Sequence, residues 1–416
     1  MNIAIVGAGI VGVTTAYELA RDGHSVTVFE QRSAAAEEAS FAPGGLLAPG
    51  ALVPWAAPGA SQALSVWGRQ ATLRVGRALT ALDLAWLRRW RRASRAYAHS
   101  HAPQPPLVAL ERLARYSHQH LHTLTQTLDL QFERSDGLLL LLRSPADAIA
   151  LRPAVQALRD AGTPAIEIDA ATARSIEPGL STETPLVGAL HVPSGEAGNC
   201  RQFALLLRQA AQQLGVQFQF NATVVRIGHT PASVQLSGPA PAQHFDAVVL
   251  CAGVASTALL QPLGLRLPLV ALYGCSISAP LREALHAPLS AVIDARHQVS
   301  ITRLGQRVRV SGGAELGRSD KATHPSTLRG LYQVLSDWFP GGTQLSGSVQ
   351  EWRGARPSLP DGPPVVGASG LPGLWLNLGH GASGWSLACG SARALADTIA
   401  GRSADISLEG LDAQRF

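Results

Sequence analysis

Gly7-Ala8-Gly9-Ile10-Val11-Gly12 is the stretch that decides the fold. It follows an apolar run, Asn2 to Val6, and opens a segment of helical spacing, Val13 to Arg21, that stops at Asp22-Gly23. Ser25 to Phe29 then alternates as a second strand and ends on Glu30. Together these make a β-α-β unit of about thirty residues. In such a unit Gly7 allows the tight turn, Gly9 lets backbone approach a pyrophosphate, and Gly12 lets the helix pack on the strand. The helix N-terminus at Ile10 and Val11 presents free N–H groups and a partial positive charge to phosphates. Glu30, with Gln31 and Arg32 beside it, stands where a carboxylate can accept from ribose hydroxyls. A glycine-rich turn without a ligand explains the glycines but not the strand, helix and acid around them. The unit is therefore expected to bind a dinucleotide.

The far end of the chain says which one. Gly379-His380-Gly381-Ala382-Ser383-Gly384-Trp385 follows an apolar strand, Leu374 to Leu378, and opens a helix running through Ile399. Its glycines permit backbone to approach a flat ligand. A helix N-terminus there can stabilise negative charge on the pyrimidine side of a reduced flavin. A nicotinamide enzyme has no need of a second such site, so the dinucleotide is read as FAD. His380 is either a polar group near the flavin or a capping residue. Just upstream lies Trp352-Arg353-Gly354-Ala355-Arg356-Pro357. Pro357 drives Arg356 towards an extended conformation. Arginine suits bidentate capture of a carboxylate, and a structural ion pair is the alternative.

At 416 residues, two domains are expected. With 46% apolar and 15% charged residues the chain is globular, not disordered. The longest aliphatic run, Leu138 to Leu142, is too short to cross a bilayer. Met1 and Asn2 lead straight into a strand with no signal-peptide pattern, so a cytoplasmic location is expected. Cys200, Cys251, Cys275 and Cys389 show no metal spacing and read as buried free thiols. The net charge of +5 comes almost wholly from arginine, Lys321 being the only lysine. Without a nucleic-acid motif that charge does not imply a nucleic-acid partner.

Residues 41–60 read as an ordered loop or a substrate-facing segment and 80–130 as largely helical. Gly137 to Arg143 and Ala247 to Ala252 read as buried strands, and Ala146 to Ala161 and Gln202 to Leu214 as helices. Val216 to Ile227 reads as a strand pair or one long strand, and 267–312 as alternating strands. With no repeat and no linker, the domains are expected to interleave. One unit takes 1–85, 198–262 and 341–416, and the other takes 86–197 and 263–340. Trp86-Leu87-Arg88-Arg89-Trp90-Arg91-Arg92, continuing to Arg95, puts Trp86 and Trp90 on one helix face and Arg88, Arg92 and Arg95 on another. Such a helix suits an anionic membrane surface, or it is a surface helix whose tryptophans enter the core.

Beyond these local readings, the chain resembles the D-amino acid oxidase and glycine oxidase family of FAD enzymes, in its D-amino acid dehydrogenase branch. The resemblance runs nearly end to end. It is carried by GAGIVGV from Gly7, SFAPGGLLAPGALVPWAAPG from Ser40, and GEAGNC from Gly195. It continues in ITRLGQRVRVSGGAEL from Ile301, WRGARPSLPDGPPVVG from Trp352, and LWLNLGHGASGWSLACG from Leu374. It implies an α/β fold in which a Rossmann-like FAD-binding domain interleaves with a smaller substrate domain on a mostly antiparallel sheet. FAD would be held non-covalently at Gly7, Gly9, Gly12 and Glu30. Ser40, Gly44, Gly45 and Leu46 would run along the flavin, with Gly354 among the cofactor-facing glycines. Val224 would meet the adenine side, Ala252 and Gly253 the diphosphate, and Gly379 to Gly384 the isoalloxazine. Arg356 matches the arginine that pairs with the substrate carboxylate, and Tyr273 a substrate-facing position.

The implied reaction passes hydride from the Cα of a D-amino acid to flavin N5. The imino acid then hydrolyses to a 2-oxo acid and ammonia, with neither a metal nor a catalytic triad. The membrane-surface reading of the helix with Trp86 and Arg88 would fit an enzyme that passes electrons to a quinone or the respiratory chain, peripheral on the inner face of the cell membrane. Cys275 stands where many amino acid dehydrogenases carry an aromatic residue, and Pro43 replaces the usual asparagine. These departures keep open a secondary or cyclic amine (sarcosine, D-proline, hydroxyproline) or glycine as substrate. A non-catalytic flavoprotein subunit is the remaining alternative, and Arg356 and the C-terminal loop argue against it.

Overall fold

A computed structural model describes residues 1–56, 73–76, 78–99, 105–317 and 323–416. The last three residues of the stretch from Ser40, and Lys321, lie outside the described residues.

The β-α-β unit forms as expected, with strand Asn2–Val6, helix Ile10–Arg21 and strand Ser25–Phe29. Two of its glycines are demanded by the protein itself. Gly7 has φ +103°, and a Cβ on it would lie 2.6 Å from the Cys251 carbonyl oxygen. A Cβ on Gly12 would lie 1.9 Å from the Gly7 oxygen, so only glycine lets the helix approach the turn. The unit sits in a six-stranded sheet ordered Val365–Ala368, Leu374–Leu378, Ala247–Leu250, Asn2–Val6, Ser25–Phe29, Gln217–Gln219. All neighbours are parallel except the first pair. The C-terminal helix Gly384–Ile399 is buried almost all round. It packs between helices Ile10–Arg21 and Pro105–Thr127 because its contact residues are small. A Cβ on Gly390 would lie 2.7 Å from the Ser117 Cα.

A ten-stranded mixed sheet forms the second layer and is antiparallel except for two strand pairs. On one face Ile277, Val308 and Val310 pack beneath helix Pro325–Trp338. On the other face Ser276, Ser300 and Ser311 leave room for the loop that precedes strand Leu46–Leu47. Strands Leu46–Leu47, Leu73–Val75 and Gln350–Ser358 belong to this sheet although they lie within 1–85 and 341–416. The chain therefore crosses between the sheets more often than the sequence suggests. Val216 to Ile227 is neither one strand nor a strand pair. Gln217–Gln219 closes the six-stranded sheet, while Val224–His229 joins a separate three-stranded sheet. Asn221, at φ +56°, turns the chain between them.

The tryptophans of helix Ala81–His99 are core residues, as the second of the two sequence readings has them. Trp86 and Trp90 are buried and stacked at 5.8 Å, and the Trp86 indole N–H donates to the Ser358 carbonyl at 3.0 Å. Arg88, Arg91, Arg92 and Arg95 are exposed and line a surface notch. Among the described residues no helix is long and apolar enough to cross a membrane. All four cysteines are buried and free.

Candidate active site

One cavity runs between the two large sheets and gathers most of the residues expected to face a cofactor. Its wall includes Gly7, Gly9, Ile10 and Val11 together with Glu30, Gln31, Val224, Ala252 and Gly253. Along its length lie Ser40, Gly44, Gly45 and Leu46. Gly354, Arg356, Gly379, His380, Gly381, Ala382 and Gly384 complete the part of the wall expected to hold cofactor and substrate.

Glu30 is buried, and its carboxylate accepts from Ala8 N–H at 2.7 Å and Arg32 N–H at 2.9 Å. Those bonds aim the acid at the cavity and leave lone pairs for further donors. Ser40 Oγ accepts from Ile10 N–H at 3.0 Å and so ties the later segment to the start of the helix. Gly9 has an ordinary φ of −67°, and a Cβ on it would come no closer than 3.4 Å to the protein. Neither its backbone nor its neighbours require glycine, so the open space serves what the cavity holds. Asn377, also in the wall, keeps a buried carbonyl oxygen without a partner among the described residues. A diphosphate at the helix N-terminus, a ribose on Glu30 and a flat ring over the glycines fit this wall.

Five expected residues do not line the cavity. Gly12 packs behind the turn. Arg32 contributes only its backbone, its guanidinium pairing with the exposed Glu38. Ser383, between Ala382 and Gly384 of the wall, is buried with a hydroxyl that has no partner among the described residues. Tyr273 and Cys275 point away, and the cause is strand alternation. Only Gly274 between them faces inward. Tyr273 lies under the Arg353 guanidinium, 3.7 Å from its ring centroid. The Cys275 sulfur bonds the Gly312 carbonyl at 3.7 Å, among the core residues under helix Pro325–Trp338. Cys275 thus cannot stand in for a pocket aromatic.

Arg356 lies flat against Gly274, where a Cβ would be 2.2 Å from the guanidinium. Next to it on the paired strand, Gly354 gives the same clearance to the Trp352 ring. Arg356 donates to the Gly313 carbonyl at 2.7 Å. No described carboxylate pairs with it. Burial lowers its pKa to about 10, so it stays cationic at neutral pH. The structural ion pair considered from sequence is therefore not formed among the described residues. His380 takes the N-cap position of the turn Gly381–Ser383 through its backbone carbonyl, which accepts from Ser383 N–H at 3.0 Å, while its ring shares a hydrogen bond with Ser391 Oγ at 3.0 Å. Burial pushes its pKa down to about 3, so it is neutral in the wall.

Sequence reading missed how the loop at Phe41 to Gly45 is held. Four successive carbonyls are taken up. Ser276 Oγ donates to Ala42, Arg309 to Pro43, Thr302 Oγ1 to Gly44, and Gly198 N–H to Gly45, at 2.7–3.2 Å. All four donors come from the large sheet, over 150 residues away in sequence.

With this geometry in place, the chain matches the family described as FAD dependent oxidoreductase across residues 2–398, and it belongs to that family. It is an oxidoreductase with FAD as cofactor. It is 39% identical over 426 residues to a D-amino acid dehydrogenase of Cereibacter sphaeroides, covering 100% of this chain and 95% of that protein. Its fold is shared by the glycine oxidase of Geobacillus kaustophilus, at TM-score 0.76 and 20% identity over 100% and 98% of the two chains. It is also shared by the L-proline dehydrogenase of P. horikoshii, at TM-score 0.75 and 16% identity over 100% and 97%.

Proposed function

We propose that the protein oxidatively deaminates a D-amino acid to a 2-oxo acid and ammonia, with Arg356 as the substrate's carboxylate anchor. The observation that carries this reading is a buried cation in the cavity wall with no described acidic partner. A buried charge without a partner is costly, and a substrate carboxylate supplies one with two-point geometry. The 39% identical relative acts, by its name, on D-amino acids. FAD, when bound, supplies the acceptor for the substrate's hydride. Glu30 and the N-terminus of helix Ile10–Arg21 hold its dinucleotide half, and the glycines from Gly379 to Gly384 hold its ring. Arg356 orients the substrate, and the neutral His380 adds no second positive charge to the cavity wall. The six-stranded sheet serves as the cofactor unit and the ten-stranded sheet as the substrate unit.

The test is anaerobic flavin bleaching by a panel of D-amino acids, L-amino acids and N-alkyl glycines. D-amino acids should bleach the native enzyme. Bleaching by N-alkyl glycines alone would move the substrate to secondary amines. Arg356→Ala should keep its yellow flavin yet lose about 2–5 kcal/mol in kcat/KM for D-amino acids, as for a removed buried charge partner. Unchanged kinetics would take Arg356 out of the site.

For the electron acceptor we propose a quinone reached at an anionic membrane surface. The exposed arginines at 88, 91, 92 and 95 support this. Changing Arg88, Arg92 and Arg95 to glutamine should abolish sedimentation with anionic vesicles at low salt. Failure of the unchanged protein to sediment would dismiss the surface.

A further inference from the structure

We propose that His118, His122 and Glu196 form a binding site for a divalent transition-metal ion of the zinc class, outside the FAD cavity. The ion would tie helix Pro105–Thr127 to strand Gly188–Gly198.

His118 and His122 are four residues apart on the helix and so share a face. Their rings are tilted at 51° with centroids 4.6 Å apart, so they converge rather than stack. Both Nε2 atoms address the same oxygen, Oε1 of Glu196, at 3.2 Å and 2.5 Å. The three ligating atoms all lie within 4.8 Å of one another. Ligand atoms bound at about 2.0–2.2 Å around a tetrahedral ion stand about 3.4 Å apart. The His118–Glu196 contact already matches that spacing, and the His122–Glu196 contact opens by about 1 Å on metal binding.

The acid is the informative member. Glu196 is 4% exposed, and its second oxygen, Oε2, is buried with no hydrogen-bond partner among the described residues. A carboxylate present only to bond two imidazoles has no reason to bury its other oxygen unsatisfied. A bound cation takes that oxygen as a second ligand or neutralises it. Two imidazole nitrogens and a carboxylate form a donor set that suits zinc or cobalt and leaves a position for water. The two histidines are partly exposed, which gives an ion a way in.

The site has a structural consequence close to the cavity. Glu196 is in register with Leu47, and Leu46 beside it lines the cavity. Two residues on, Gly198 N–H donates to the Gly45 carbonyl at 2.7 Å. An ion here would brace the strand that carries the cofactor-side loop without touching the reacting atoms. The unrelated chemistry of the cavity does not depend on it.

The test uses tag-free holoenzyme freed of metal with a chelator and titrated with Co2+. One equivalent per chain should bind and give the intense visible bands of a tetrahedral site, and Zn2+ should displace them. His122→Asn should lose the bands and weaken Co2+ binding by about tenfold or more, with the flavin spectrum unchanged. His118→Asn serves the same purpose should the first variant lose its flavin. Zn2+ should also raise the thermal midpoint of the native holoenzyme but not of the variant. The proposal is overturned if native protein shows only the weak spectrum of hydrated Co2+. Bands that persist in both variants would overturn it equally.

Discussion

At the scale of single residues, the site is made by what is absent next to a side chain as much as by the side chain itself. Arg356 can lie flat because Gly274, on the neighbouring strand, has no Cβ. Gly274→Ala should therefore tilt the guanidinium and raise KM for the D-amino acid at least about tenfold, while the flavin content stays native. Steady-state kinetics beside an absorbance spectrum reads both. An unchanged KM would show that the arginine's pose does not matter.

His380 makes a different prediction. Its pKa is about 3 folded, below the ordinary histidine value of about 6.5. The unfolded chain then binds the extra proton first. Stability from this residue is complete above pH 6.5 and falls as the pH drops towards 3, by at most about 1.4 kcal/mol per pH unit. His380→Gln should flatten that limb of a denaturation series run from pH 7 to 4. An equally steep limb would contradict the assignment.

At the scale of elements, the loop Phe41 to Gly45 has no regular structure of its own and takes its shape from the large sheet. Arg309 bonds both Ser278 Oγ and the Pro43 carbonyl. It is mostly buried, and burial lowers its pKa to about 10. Gly44 fits because the sheet offers serines there, where a Cβ would lie 2.5 Å from Ser300 Oγ. Arg309→Met should free the Pro43 carbonyl and loosen the loop, so FAD should dissociate about tenfold faster or more. Dilution followed by flavin fluorescence measures that rate.

At the scale of the whole molecule, the N-terminal and C-terminal helices are locked by charge inside a largely apolar core. Arg393 bonds Glu18, Asp22 and Asp397, and its side chain is 7% exposed. His120 adds a 2.8 Å contact to the fully buried Glu18. Removing one partner leaves buried acids behind, so Arg393→Met should cost about 3–5 kcal/mol of unfolding free energy. Because the cavity lies between the sheets, FAD should stabilise the whole chain by linkage. That contribution is about 2.7 kcal/mol at a free concentration one hundred times Kd.

What could be read along the chain was whatever depends on neighbours in sequence. The β-α-β unit, its glycines and Glu30 lie within thirty residues, and turn geometry alone dictates them. The loop at Gly379 to Gly384 was legible for the same reason, and the order of the long motifs identified the family. Folding decided everything that depends on which way a side chain points and what meets it across the molecule. Strand alternation took Tyr273 and Cys275 out of the cavity and left Gly274 in it. Packing put Trp86 and Trp90 in the core rather than on the surface, because the composition of a helix does not say which face is covered. The carbonyl clamp on Phe41 to Gly45 and the cluster of His118, His122 and Glu196 join residues more than seventy positions apart. No periodicity links such residues. Only the pairing of strands and the docking of helices brings their polar atoms within bonding distance.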